Sequence, residues 1–185
     1  MKKFAVSILA GLLIATSIVS YSEELSQELS EGIVRLHIIA ESNLCEDQSV
    51  KLKVRDAVLC EMDKFENAEE VQKNLALLES VANKVLKEEG FSYRAKAEYG
   101  RFSFPTKHYE GFSLPEGEYN AVRIKLGRAE GENWWCVLFP PLCMVDAATE
   151  EGEALLKETF GENYAVVTQA ETLPVKIKFK IAELF

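Results

Sequence analysis

Histidine is scarce in this chain: His37 and His108 are the two present among 185 residues. That thins the usual supply of general bases and zinc ligands. Cysteine is sparing too, at Cys45, Cys60, Cys136 and Cys143, and a Cys-x6-Cys spacing with scattered histidines is not the paired-ligand pattern of a zinc site. No P-loop, dinucleotide fingerprint, Gly-x-Ser-x-Gly or His-Glu-x-x-His motif occurs. Cations are outnumbered, 21 lysines and arginines against 30 acids, for a formal charge of −9. With no run of cations interleaved with aromatics, that field repels polyanions and argues against nucleic acid as a partner. Beyond the N-terminus no apolar stretch is long enough to span a bilayer. These absences leave an acidic chain with no catalytic, cofactor or metal residues to nominate.

The N-terminus carries the clearest local signal. Lys2 and Lys3 precede an uncharged, mostly apolar run from Phe4 to Val19, and Ser20-Tyr21-Ser22 puts small residues where a signal peptidase reads. The run is shorter than the roughly 20 residues of a spanning helix, so a cleaved signal is favoured over an uncleaved anchor. Residues 1–22 are thus expected to be a signal peptide or N-terminal anchor and the only membrane contact. Residues 23–32, beginning Glu23-Glu24, are expected to form an acidic tether, and 33–185 a single domain.

Within that domain the periodicity predicts α+β. Ile33–Ala40 reads as a β-branched strand. Asn43 and Glu46 have capping-box spacing, opening a helix to about Phe65 with a Val50–Val54–Val58 stripe. Asn67 and Glu70 repeat the capping signal for a second helix to Glu89, forming a helical hairpin with the first. Strand-like alternation follows from Phe91 to Tyr99 and from Tyr119 to Leu126, where Val122, Ile124 and Leu126 oppose Arg123 and Lys125. Pro105 and Pro115 bracket a loop. Trp134–Phe139 is apolar at both parities, which suggests a central, fully covered strand. A short helix capped by Thr149 and stopped at Gly161, and a lysine-alternating edge strand at Val175–Ile181, complete a mixed, largely antiparallel sheet of about five strands with the helical hairpin on one face.

Cys45 and Cys60 on one helix lie about 22 Å apart at 1.5 Å per residue, too far to bridge. Cys136 and Cys143 flank Phe139-Pro140, and a reversal there would oppose them; a disulfide and two buried thiols both remain open. His37 reads as a structural histidine at a sheet surface. His108 could partner Cys136 or Cys143 as a thiol dyad, but no local spacing supports it. Asp146 reads as a helix cap before any specific role.

The segment Asn133–Asp146, NWWCVLFPPLCMVD, carries a doubled tryptophan, a doubled proline and two cysteines, and resembles the signature of the stage II sporulation protein R family. Arg35–Leu59 resembles that family's N-terminal strand-helix block, Phe104-Pro105-Thr106-Lys107 with Tyr109 its mid-domain loop, and Pro115–Ala121 (PEGEYNA) the turn before its next strand. Cys45 departs from the small or polar residue expected there. The resemblance implies a non-enzymatic intercellular signal of endospore formation. It would be exported into the intermembrane space between forespore and mother cell. Its implied partner is a membrane-embedded aspartic protease, the sporulation sigma-E factor processing peptidase, met on its extracytoplasmic side. An envelope thiol hydrolase or a cell-wall-binding module is the alternative. Loop residues Lys107, His108 and Tyr109, with whichever of Trp134 and Trp135 faces outward, are the candidate contacts, since aromatic anchors and loops commonly carry binding.

Overall fold

The computed structural model describes residues 32–142 and 149–169 apart from positions 63 and 66, together with positions 11, 16, 17, 29 and 30. The fold is α+β. β1 (Val34–Ile39) forms where a β-branched, mostly apolar run, interrupted by Arg35 and His37, lies between Gly32 and Ser42. It lies inside a four-stranded mixed sheet ordered β2–β5–β1–β6, with β2 at Ala95–Phe104, β5 at Gly117–Leu126 and β6 at Asn133–Phe139. β1 runs parallel to β5 and antiparallel to β6, and β2 pairs antiparallel with β5 over ten residues. About five strands were expected; the C-terminal one, at Val175–Ile181, lies outside the described residues, as do Cys143, Asp146 and nearly all of the segment 1–22. Leu29 and Ser30, read as tether, are buried.

Strand alternation divides the sheet into two unlike faces. Toward one point Leu36, Ile38, Val122, Ile124, Leu126, Cys136 and Leu138, all nearly or fully buried. Helix α1 (Cys45–Met62) lays its Val50–Val54–Val58 stripe on them, spaced one turn apart as expected. Each such side chain contributes roughly 1.5–3 kcal/mol through burial. The expected cap of α1 is corrected. Asn43 Oδ1 instead accepts from the Glu132 N–H at 2.7 Å, while Ser42 Oγ accepts from the Leu44 N–H and donates to Asp47 Oδ2. Tyr93 holds the other Asp47 oxygen at 2.7 Å. Gly131 packs so tightly on the Ser42 carbonyl that a Cβ there would clash with it. The capping residue is thus spent on a tertiary lock between the β1–α1 and β5–β6 loops.

The second helical region begins as read: Asn67 Oδ1 accepts from the Glu70 N–H. It is not one helix, however, but α2 (Ala68–Lys73) and α3 (Leu75–Glu88), parted at Asn74. The Asn74 side chain donates to the Glu70 carbonyl at 2.9 Å, offering the backbone an alternative to a continuous ladder. α3 buries Leu78, Ala82 and Leu86, and Lys53 of α1 pairs with Glu89 just after α3 at 2.5 Å.

Two further expectations are corrected. The Pro105–Pro115 loop is a hairpin, β3 (Lys107–Tyr109) against β4 (Phe112–Leu114), whose Phe112 and Leu114 are buried. β6 is not central but ends the described sheet. Its apolarity at both parities has another cause: Cys136 and Leu138 join the helix-covered core, whereas Val137 joins a second cluster on the opposite face. That cluster unites Phe104, Phe112, Leu114, Tyr119 and Ala121 with helices α4 (Glu150–Phe160) and α5 (Tyr164–Gln169). Thr149 caps α4 and Gly161, at φ 49°, ends it, as the sequence predicts. α5 was not foreseen. The hairpin and these helices shield one end of the second face and leave the other end open.

Candidate binding face

At the shielded end, β1 turns Arg35 onto the second face, where it is fully buried. Its Nη2 donates to the Tyr109 hydroxyl at 2.7 Å, so the hairpin is latched to the central strand. The guanidinium carbon lies 4.2 Å from the Phe104 ring centroid and 4.7 Å from that of Tyr119. Its Nε and Nη1 have no hydrogen-bond partner among the described residues. A buried charge ordinarily demands a counter-ion. Among the described residues the flanking π faces are what meets the charge, and desolvated cation–π contacts are worth about 2 kcal/mol or more. Burial pushes the Tyr119 phenol up to about 12 and raises Tyr109 as well, against the pull of Arg35, so both rings stay neutral. Tyr119 donates to the Pro115 carbonyl at 2.8 Å.

Two residues along β1, His37 stacks on Trp135 with centroids 3.7 Å apart and planes 18° from parallel. Phe104 meets both rings edge-on. His37 Nε2 lies 2.6 Å from Asn133 Oδ1 and, with its proton there, donates to it. Burial drives the His37 pKa down to about 4, with Arg123, Arg35 and Lys125 pushing the same way and the Asn133 bond opposing. The imidazole is therefore neutral at pH 7.

At the open end, Arg123 lies on the Phe102 ring at 4.0 Å and reaches Glu98 at 2.9 Å, and Lys125 reaches the other Glu98 oxygen at 3.0 Å. These two bonds, Arg123 first, hold the Glu98 carboxyl below the usual carboxylate range. Lys107 of β3 extends its ammonium to 5.8 Å from the Trp135 centroid.

The structure sorts the sequence candidates. Lys107, Tyr109 and Trp135 converge around Arg35 and His37. His108 does not: it is exposed, with Nδ1 bonded to Ser113 Oγ at 2.8 Å. Trp134 points to the opposite face, packed on the first core with Arg55 5.2 Å from its ring. Cys136 is buried in that same core, disulfide-bonded, on the other side of the sheet from the second cluster. No His108–Cys136 dyad forms. Cys45 and Cys60 are exposed free thiols; Cys143 lies outside the described residues, and its pairing stays an expectation. No group of three or more His, Cys, Asp or Glu residues among the described residues could hold a metal ion. No helix among them is long and apolar enough to cross a membrane.

Arg35 was missed as a site residue. The signal was present: Arg35 and His37 alternate with Leu36 and Ile38, so a strand whose apolar parity is wholly buried places chemistry on the other.

Comparison with known proteins matches this arrangement to sporulation. A profile of Stage II sporulation protein R matches residues 30–149, from the segment before β1 to the cap of α4. Stage II sporulation protein R of Bacillus subtilis (strain 168) is 33% identical over 173 residues, covering 85% of this chain and 76% of its own. No solved structure matches. The match embraces the whole sheet, the buried Arg35 and the aromatic face around it, and the chain belongs to the stage II sporulation protein R family.

Proposed function

We propose that this chain is an exported, non-enzymatic signal of endospore formation. It acts from the forespore in the space between the two membranes, on the extracytoplasmic side of a membrane-embedded aspartic protease in the mother cell. Binding the protease's active state better than its resting state would shift that equilibrium and license removal of the pro-sequence from sigma-E. The observation that carries this reading is family membership across most of the chain's length. The aromatic and cationic second face supports it, because binding hot spots favour Trp, Tyr and Arg. The arrangement of Cys136 and His108 on opposite sides of the sheet speaks against the thiol-hydrolase alternative.

The test is reconstitution. Cells making the protease and the pro-sigma factor receive this protein with and without its first 22 residues, and pro-sequence removal is followed on gels. The expected result is processing that needs an exported form. Failure to process with any cognate protease would overturn the proposal. Retention on purified peptidoglycan without a receptor would favour a cell-wall module instead.

A further inference from the structure

The second face of the sheet runs against the sign of the chain's net charge. The chain carries a formal charge of −9. Yet among the second-face positions of β2, β5, β1 and β6, Lys96, Arg123, Lys125 and the buried Arg35 are opposed by one carboxylate, Glu98. Lys107 adds a further cation from the hairpin above. Glu98 is already spent on Arg123 and Lys125, so Lys96 and Lys107 are left as surplus, and the Arg123 Nε has no partner among the described residues.

The open end is also firmly built. Arg123 rests on Phe102 at 4.0 Å, and Trp135 is pinned against the buried His37 at 3.7 Å. Side chains held this way lose little conformational freedom when a ligand arrives. They are nonetheless reachable: the Arg123 and Lys125 side chains are 27% and 33% exposed.

We infer that the open end of this face, formed by Lys96, Arg123, Lys125 and Trp135 with Lys107 above, docks an acidic segment of a partner protein. The cations meet its carboxylates, and Trp135 supplies the apolar anchor. A positive patch on a chain of net negative charge also discriminates, because it offers an acidic partner a favourable field that the net charge opposes. An anionic bilayer fits less well. Lipid-surface recognition typically uses clusters of 4–8 cations, and here Arg123 and Lys125 share one carboxylate, Glu98, which removes one of the four positive charges, while a bilayer would meet the field of the whole acidic chain. This inference rests on the binding role proposed above and names the chemistry of the partner.

The test uses the full chain without its first 22 residues beside the intact chain, so that the N-terminal segment is controlled. Trp135 is read by indole resonance shifts against octaglutamate, octaglutamine, and vesicles of phosphatidylglycerol or phosphatidylcholine. Octaglutamate should bind in a salt-sensitive manner and octaglutamine should not. The double variant Lys96→Glu/Lys107→Glu, which breaks no ion pair with Glu98, should bind octaglutamate about tenfold more weakly or worse at an unchanged melting temperature. Arg123→Gln serves as the second variant, with the same expected direction. Equal binding of the two peptides, indifference to both variants, or preferential binding to phosphatidylglycerol vesicles overturns the inference. The processing assay separates its fate from that of the proposed function. Loss of processing in the double variant, with wild type active, supports both. Full processing by the double variant removes the docking surface and leaves the signalling role standing. No processing by wild type removes the role, while the peptide titration still decides the surface.

Discussion

The two faces of the sheet are made by the same four strands and do different work. On the face under α1 and α3, Leu36, Ile38, Val122 and Ile124 are apolar and fully buried, and their chemistry is packing. On the other, the alternate residues of those strands, Arg35, His37, Ala121 and Arg123, hold a cation between rings, a neutral imidazole against an indole, and an ion pair. Trp134 and Trp135 make the contrast in adjacent residues, one under Arg55 against the helical core, the other half-buried between His37 and Lys107. In these strands one parity packs against the helical core, while the other combines a second apolar cluster with cation–π and ionic contacts.

That division breaks first, and most visibly, at Leu36. Leu36→Ala removes a fully buried side chain between α1 and the sheet and should cost about 3 kcal/mol, read from the urea midpoint at unchanged m-value. Signalling should fall only as the folded fraction falls. A cost below about 1 kcal/mol would mean that the helix-covered face is not the stabilising one.

The next effect is pH-dependent and belongs to the other face. His37 titrates at about 4 in the fold against 6.5 when unfolded. Between those values the unfolded chain binds the extra proton. Its contribution is therefore intact above pH 6.5, declines as pH falls, and has cost about 3 kcal/mol by pH 4. From pH 7 to pH 5 the loss is about 2 kcal/mol, or about 4–8 °C in melting temperature for a domain of this size. His37→Gln should flatten that slope, whereas Leu36→Ala should shift the curve without changing its shape. An unchanged slope between pH 7 and 5 in His37→Gln would show that His37 does not set it, since a carboxylate held down like Glu98 loses its contribution only below its ordinary range.

The helix-covered face was the legible one. Apolar stripes at helical spacing on α1 and alternation in β5 are local patterns, and each led to the right residues: Val50, Val54 and Val58, then Val122, Ile124 and Leu126. So did the caps at Asn67 and Thr149, which need nothing beyond their own turn. The second face was legible in part. Lys107, Tyr109 and Trp135 were named, but as loop and exposed residues, not as a group around Arg35. What joins them is pairing across 74 residues, Arg35 to Tyr109, which no periodicity encodes. The failures share that cause. Asn43 has a capping signature and is taken instead by Glu132, and β6 reads as central because its two parities serve two different cores.

A smaller effect sharpens the comparison at its most unusual point. Arg35→Met keeps most of the stem's volume and removes the buried charge. Replacing a buried ion by an apolar residue is often neutral or stabilising, so the change should stay within about 1 kcal/mol of wild type. A loss above 3 kcal/mol would mean that the charge, and not the packing of the stem between Phe104 and Tyr119, holds this end of the face together.

The smallest effect isolates the latch itself. Tyr109→Phe deletes the oxygen that receives Arg35 Nη2 at 2.7 Å and leaves the ring stacked on Phe112, 4.8 Å between centroids. A hydrogen bond to a charged donor is worth about 1.5–3 kcal/mol when its loss strands a buried group, but Arg35 already has two nitrogens without partners among the described residues and keeps both rings. The expected loss is therefore about 1 kcal/mol. In the Arg35→Met background the same change should cost close to nothing, because the donor has gone, which makes the coupling in the double-mutant cycle about 1 kcal/mol as well. Hydrogen exchange at the β3–β4 amides should rise in Tyr109→Phe and in Arg35→Met alike while α1 stays protected, since the latch holds the hairpin and not the helical core. Additive costs in the cycle would show that Tyr109 steadies the hairpin through Phe112 alone and that Arg35 plays no part in closing the shielded end.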